Sequence, residues 1–120
     1  MSYDVSLLHP VTRATLMLEQ PHHMRGGTYQ VGGDSHARLN VTFNYHPHFA
    51  RAFNTAEGLR SLNGMLAAES IPLIRNAMGR LLDNVLDDYW TPTDGNAKAV
   101  LFQLLALAQM RPDGIWEVVD

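Results

Sequence analysis

Residues Ala97 to Met110, AKAVLFQLLALAQM, read as a helix whose only strongly polar side chains are Lys98, Gln103 and Gln109. At about 100° per residue, Lys98 and Gln109 fall close together and Gln103 sits well round from them, so little of the circumference is wetted. A surface helix of a small domain carries one apolar stripe. A helix apolar almost all round is either the central rod of the fold or a surface shared with another chain. The rest of the chain offers a one-faced sheet and an amphipathic helix to wrap it, which makes it mainly core. Whatever apolar surface it keeps points to a homodimer formed by pairing two such helices.

The 120 residues suit a single domain, 1–120, with one hydrophobic core. An apolar fraction of 46% with 18% charged residues is globular composition and argues against disorder. Nine basic and twelve acidic side chains leave a formal charge of −3. That is too weak for a dedicated phosphate-backbone binder and too weak for an acidic mimic of DNA, so a nucleic-acid partner is not expected. Cysteine is absent, which excludes disulfides and thiolate metal sites. MSYDVSLLHP lacks the basic start and unbroken apolar segment of a signal peptide. The apolar rod spans only about 21 Å, short of a bilayer core. A cytoplasmic protein without a membrane partner is the expectation.

Ahead of His46 the chain reads as strands. Tyr3, Val5 and Leu7 share one side of a first strand, His9-Pro10-Val11-Thr12 turns it, and Ala14, Leu16 and Leu18 continue as its hairpin partner. Pro21 and Gly26-Gly27 break the chain before a short third strand over Thr28 to Val31, and Gly32-Gly33-Asp34-Ser35 makes the next turn. The clearest strand is Ala37 to Tyr45. There Ala37, Leu39, Val41, Phe43 and Tyr45 share one face and Arg38, Asn40, Thr42 and Asn44 the other.

After His46 the period becomes helical. Phe49, Ala50 and Phe53 suit a short helix under the sheet's edge, and a turn around Ala56 to Leu62 offers Leu59 and Leu62 before Asn63-Gly64 ends it. An amphipathic helix runs from about Ser70 to Asp87, with Ser70 as N-cap and Pro72 in its first turn. Its stripe is Ile71, Ile74, Met78, Leu81, Leu82, Val85 and Leu86. Tyr89-Trp90-Thr91-Pro92 connects to the last helix, which Thr93 or Asp94 caps and Arg111-Pro112 stops; Ile115 and Trp116 fold back on the core. The fold class is therefore α+β. An antiparallel sheet of three to four strands in the N-terminal half is packed by C-terminal helices, one of them nearly fully buried.

Histidine is the residue type best suited to chemistry here. His9, His22, His23, His36, His46 and His48 all lie in the first half, near turns. The His46-Pro47-His48 pair, with His22, His23, Asp34 or His36 as a third ligand, has the donor types of a zinc site. No second ligand pair stands at a diagnostic spacing, and exposed loop histidines that cap the sheet through hydrogen bonds account for the same pattern. Asp34-Ser35-His36 juxtaposes triad residue types, but triads assemble in space, and the glycines before it favour an Asx-type turn. Arg25-Gly26-Gly27 could present backbone amides to a phosphate but lacks a Walker-type lysine. Asp83, Asp87 and Asp88 place negative charge at a helix end where the dipole disfavours it, which suggests a partner such as Arg80.

Three segments, HMRGGTYQVGG, AESIPLI and YWTPTDGNAKAVLFQLLALAQMRPDGIW, resemble a group of small uncharacterised proteins carried by bacterial phages and other mobile elements. The resemblance spans nearly the whole chain and brings no catalytic residues. It implies a setting in which small proteins bind and inhibit or redirect a host machine, its defence systems included. The expected function is a non-enzymatic binding protein without a cofactor whose partner is a host or mobile-element protein. The working surface is expected in the glycine- and histidine-rich loops, with Arg25, Tyr29, His36, His46, His48 and Trp90 as contact residues. The alternative is a histidine-dependent metal-binding or phosphate-handling enzyme, with His46 and His48 as the metal ligands.

Overall fold

Strict alternation sets the sheet. Tyr3, Val5 and Leu7 are fully buried, whereas Asp4 is exposed and Ser2 and Ser6 are partly so. The computed structural model describes residues 2–22, 34–84 and 92–120. Its elements are β1 (Ser2–Leu8), β2 (Met17–His22), β3 (Asp34–His36), β4 (Arg38–Thr42), a 3-10 turn (Phe43–Tyr45), α1 (His46–Ala52), a second 3-10 turn (Gly58–Leu62), α2 (Ala67–Gly79), α3 (Asp94–Met110) and β5 (Ile115–Val119). The fold is α+β. β1 is the middle strand of an antiparallel sheet ordered β4-β1-β5, and β2 and β3 form a separate two-stranded ribbon.

Register fixes which face goes inward. Tyr3 lies opposite Val41 and Val5 opposite Leu39 on one side; Val5 faces Val118 and Leu7 faces Trp116 on the other. Every member of these pairs is buried. A one-residue slip would turn the whole set into water, so the pairing is firmly specified. The outer side of β5 is closed by the chain before α2, where the Gly64 amide donates to Trp116 O (2.8 Å) and the Trp116 amide to Met65 O (2.9 Å).

α3 packs against α2 and also reaches α1 and β4. Ala97, Val100, Leu101, Leu104, Leu107 and Ala108 are buried. Phe102, Gln109 and Met110 are exposed, and Lys98, Ala99, Gln103 and Ala106 are half-buried. On a helical projection these seven occupy a sector of about 140°. The rod is thus mainly core, as its composition implies, with one wet side that carries apolar side chains.

Several local expectations change. The hairpin partner expected over Ala14, Leu16 and Leu18 is short: His9 N donates to Ala14 O and Leu16 N to Leu7 O, both at 2.8 Å, around a single Leu8–Thr15 bridge. From Ser6 back to Ser2 that edge of β1 belongs to β4, and the chain turns away to pair β2 with β3. Pro21 lies inside β2 rather than ending it, a position a two-stranded ribbon tolerates at its open side. Asp34 and Ser35 belong to β3 instead of a turn, although Asp34 Oδ1 does accept the His36 amide two residues on. The strand expected through Tyr45 stops at Thr42, whose hydroxyl caps the 3-10 turn by accepting from Asn44 N. Phe43 leaves the ladder to stack on Tyr3 and His46, both at 5.2 Å.

α2 begins before Ser70 and ends at Gly79, well short of Asp87. Ser70 is consequently interior, and Pro72 lies within the helix rather than in its first turn. The buried Ser70 hydroxyl donates to Ala67 O (2.7 Å) and accepts from Trp116 Nε1 (2.8 Å), tying α2 to β5. Leu82, assigned to the apolar stripe, is exposed because the helix has ended. Of the acidic group only Asp83 is described, and it pairs with Lys98 (2.7 Å) rather than Arg80, whose Nη1 donates to Ala52 O (2.7 Å). Thr93 caps α3 as expected, and Ile115 and Trp116 fold back as the start of β5. The short strand over 28–31, the glycine pairs at 26–27 and 32–33, and Val85, Leu86, Asp87 and Asp88 lie outside the described residues.

Candidate functional site

Two buried carboxylates, Asp34 and Asp94, hold two of the described histidines, His36 and His48. Asp34 sits at the start of β3 with its side chain 4% exposed. Its Oδ1 accepts from the His36 amide and from His36 Nδ1, both at 2.9 Å, and its Oδ2 accepts from Arg38 Nε at 2.7 Å. Burial pushes this carboxyl up, but the hydrogen bonds from His36 and Arg38 and the Arg38 charge outweigh it and hold the pKa at about 2. His22 Nε2 meets His36 O at 3.0 Å; since a carbonyl only accepts, this nitrogen carries the proton. The result is a polar clasp across the β2–β3 ribbon.

Asp94 occupies the first turn of α3, where a carboxylate suits the positive end of the helix. Its Oδ1 accepts from His48 Nδ1 (2.6 Å) and from Arg51 Nη2, and its Oδ2 from the Leu82 amide (3.2 Å). Beside it, Thr93 Oγ1 accepts from Asn96 N (3.0 Å), and Asn84 Oδ1 accepts from Gly95 N (3.2 Å). Burial raises the Asp94 pKa, yet the His48, Leu82 and Arg51 hydrogen bonds together with the Arg51 charge leave it below the usual carboxylate value. One carboxylate therefore joins α1, the chain after α2, and the start of α3.

His46 and His48 both lie in the first turn of α1, but two positions apart on a helix means nearly opposite directions. Tyr3 Oη and His46 Nδ1 share a hydrogen bond of 2.6 Å, towards the sheet, while His48 turns to Asp94 on α3. The pair does not converge on one point. Among the described residues no three His, Asp or Glu side chains gather as a metal-ligand set. His9 caps the turn after β1, its Nδ1 accepting from Val11 N and Thr12 N, both at 3.1 Å. All five described histidines are thereby tied to groups on their own or neighbouring elements.

The His48–Asp94 contact has the form of an oriented imidazole with Nε2 left as acceptor, the arrangement a general base requires. Here the same carboxylate is shared with Arg51 and the Leu82 amide, and no described side chain lies within hydrogen-bond reach of Nε2. Of the sequence-derived contact residues, His36, His46 and His48 stand at three separate places. Arg25, Tyr29 and Trp90, together with His23, lie outside the described residues. Sequence reasoning missed Tyr3 and Asp94 as partners of the histidines, and Arg51 as a partner of Asp94. Asp94 looked like an ordinary helix cap, and no periodicity connects it with a histidine 46 positions earlier. No family model, curated protein or solved structure matches the chain.

Proposed function

We propose that this protein works in the cytoplasm as a non-enzymatic binding protein of a phage or other mobile element, and that it inhibits or redirects a host protein complex such as a defence system. The observation that carries this reading is a division of labour in the side chains. His9, His36, His46 and His48 are held by structural hydrogen bonds at separate places, whereas Met17, Leu82, Phe102 and Met110 are large apolar side chains exposed to solvent. Exposed apolar groups on an otherwise well-packed core suit contacts between molecules. The weak net charge favours a protein over a nucleic-acid partner. No helix among the described residues is long and apolar enough to cross a membrane. The resemblance of HMRGGTYQVGG, AESIPLI and the segment from Tyr89 to Trp116 supports the mobile-element setting.

Tagged protein added to a bacterial host lysate should retain a partner that co-elutes stoichiometrically in gel filtration and is lost in Met17→Asp. Retention of nothing beyond the tag control overturns the reading. A stoichiometric transition metal on the purified protein, lost in His46→Ala or His48→Ala, would replace it with the metal-dependent alternative.

Pairing of two chains through the wet side of α3 is part of the proposal, supported by Phe102 standing 62% exposed between half-buried Ala99 and Ala106. Light scattering should then give the mass of two chains, falling to one in Phe102→Glu with unchanged circular dichroism. A single-chain mass for the native protein refutes the pairing. Leu104 is fully buried and is no probe of it: Leu104→Glu is expected to unfold the chain.

A further inference from the structure

Six large apolar side chains stand exposed among the described residues, and two of them, Met17 and Met110, meet in one cleft. The cleft runs between β2 and the last turn of α3, is lined by Met17, Leu18, Glu19, Gln20, Met110 and Arg111, and holds about 460 Å³. That volume accommodates one or two side chains of a bound segment. The methionines are 52% and 48% exposed. Their unbranched thioethers adapt to differently shaped apolar guests without a fixed rotamer. Four consecutive β2 residues line the cleft, so its long side is a strand, which suits an extended occupant.

The charges around the cleft decide what the occupant carries. Arg111 is the cation at its rim, but its donors turn back into this chain. Nε and Nη2 bind the two carboxylate oxygens of Asp113 at 3.1 and 2.8 Å, and Nη1 donates to Met17 O at 2.9 Å. Its charge is matched by Asp113 and its geometry is spent on bracing β2. Glu19 is exposed and has no hydrogen bond or ion pair with any described residue. Among the described residues, the uncompensated charge at the rim is therefore negative. An acidic segment would meet Glu19 as a like charge, whereas a basic one meets a carboxylate with no partner among the described residues.

Resting on the binding reading above, we propose that this cleft docks an extended peptide segment of a protein partner whose apolar side chain is flanked by a cation. The apolar group lies against Met17 and Met110, and the ammonium or guanidinium group faces the Glu19 carboxylate. The minimal probe of that chemistry is n-hexylammonium, compared with hexanol and hexanoate of matching chain length in ¹⁵N–¹H correlation spectra of the full chain. Saturable shifts should concentrate at residues 17–20 and 110–111, with hexylammonium binding tighter than hexanol and hexanoate weakest. Glu19→Gln, at an exposed position with no partner among the described residues, should weaken hexylammonium by about two- to fivefold and leave hexanol unchanged. Met110→Asp should abolish the hexanol shifts.

The proposal is overturned if no saturable shift appears at the cleft, if hexanoate matches hexylammonium, or if Glu19→Gln leaves the preference in place. Failure here is distinct from failure of the binding reading. A partner captured equally well by Glu19→Gln and Met110→Asp protein keeps the binding function and removes this cleft from it.

Discussion

Replacing Asp34 by asparagine removes a negative charge from a side chain 4% exposed and changes its volume hardly at all, so the response isolates electrostatics. Two routes give its size. The folded carboxyl is held at about 2 against an ordinary 3.8, and at about 1.4 kcal/mol per unit this amounts to roughly 2.5 kcal/mol. Arg38 and His36 are themselves 51% and 43% exposed, and solvent screening trims the figure to about 2 kcal/mol. Counting bonds leads to the same place. Asparagine keeps an oxygen for the His36 amide but turns an NH2 group towards Arg38 Nε, which sets two donors face to face. Losing one charge-assisted bond in this way costs about 1.5–3 kcal/mol.

The pH dependence has a definite sign. Because folding lowers this pKa, the contribution is complete above the unfolded value near pH 4 and disappears as pH falls through about 2. Urea unfolding followed by tryptophan fluorescence, on wild type and Asp34→Asn in parallel, should show a gap of about 2 kcal/mol at neutral pH. The gap should narrow towards zero across the acid window. A neutral-pH gap below about 0.5 kcal/mol, or one that persists undiminished in acid, would refute the assignment of Asp34 as an ionised anchor.

Asp94→Ala should destabilise by about 3 kcal/mol, since it strips His48, Arg51 and the Leu82 amide of their acceptor; in a double-mutant cycle with His48→Ala the losses should be far from additive. Trp116→Phe should cost about 2 kcal/mol by removing the bond to Ser70 Oγ and part of a fully buried ring, and Ser70→Ala should add little on that background. Gly114→Ala should cost about 1–3 kcal/mol, because a Cβ there comes within 2.9 Å of Leu7 Cβ and Leu16 Cδ1 and the strand must shift to admit it; an unchanged midpoint in urea would show that the site has slack.

Local pattern carried much of the fold. Alternation in Tyr3-Val5-Leu7 and Ala37-Leu39-Val41 marked strands and their buried faces, and Thr93 announced the start of α3 through the hydroxyl that caps it. What failed were the ends. Ser70 has the chemistry of a cap, yet α2 starts three residues earlier, where the Ala67 and Ala68 amides donate to Gly114 O and Pro112 O from the far end of the chain, and the Ser70 hydroxyl serves the Trp116 indole instead. Phe43 and Tyr45 keep the odd-numbered alternation of the strand but leave it, since stacking with Tyr3 and His46 and burial beside Phe49 outcompete two more ladder positions. For the candidate site the legible part was smaller still. Histidines stood out by type, but Tyr3 and Asp94, which hold His46 and His48, come from other elements.

The sequence by itself determined an α+β chain with a central apolar rod, because period and composition act over a few neighbours and need no knowledge of the rest. It also determined that the rod would be mainly internal. Only the tertiary structure decided which side of α3 stays wet, that β5 closes the sheet against β1, and that His46 and His48 part company after a single proline. Those outcomes depend on which distant surfaces meet. Hydrogen-bond partners and clefts such as that between Met17 and Met110 exist only once the chain has brought its two ends together.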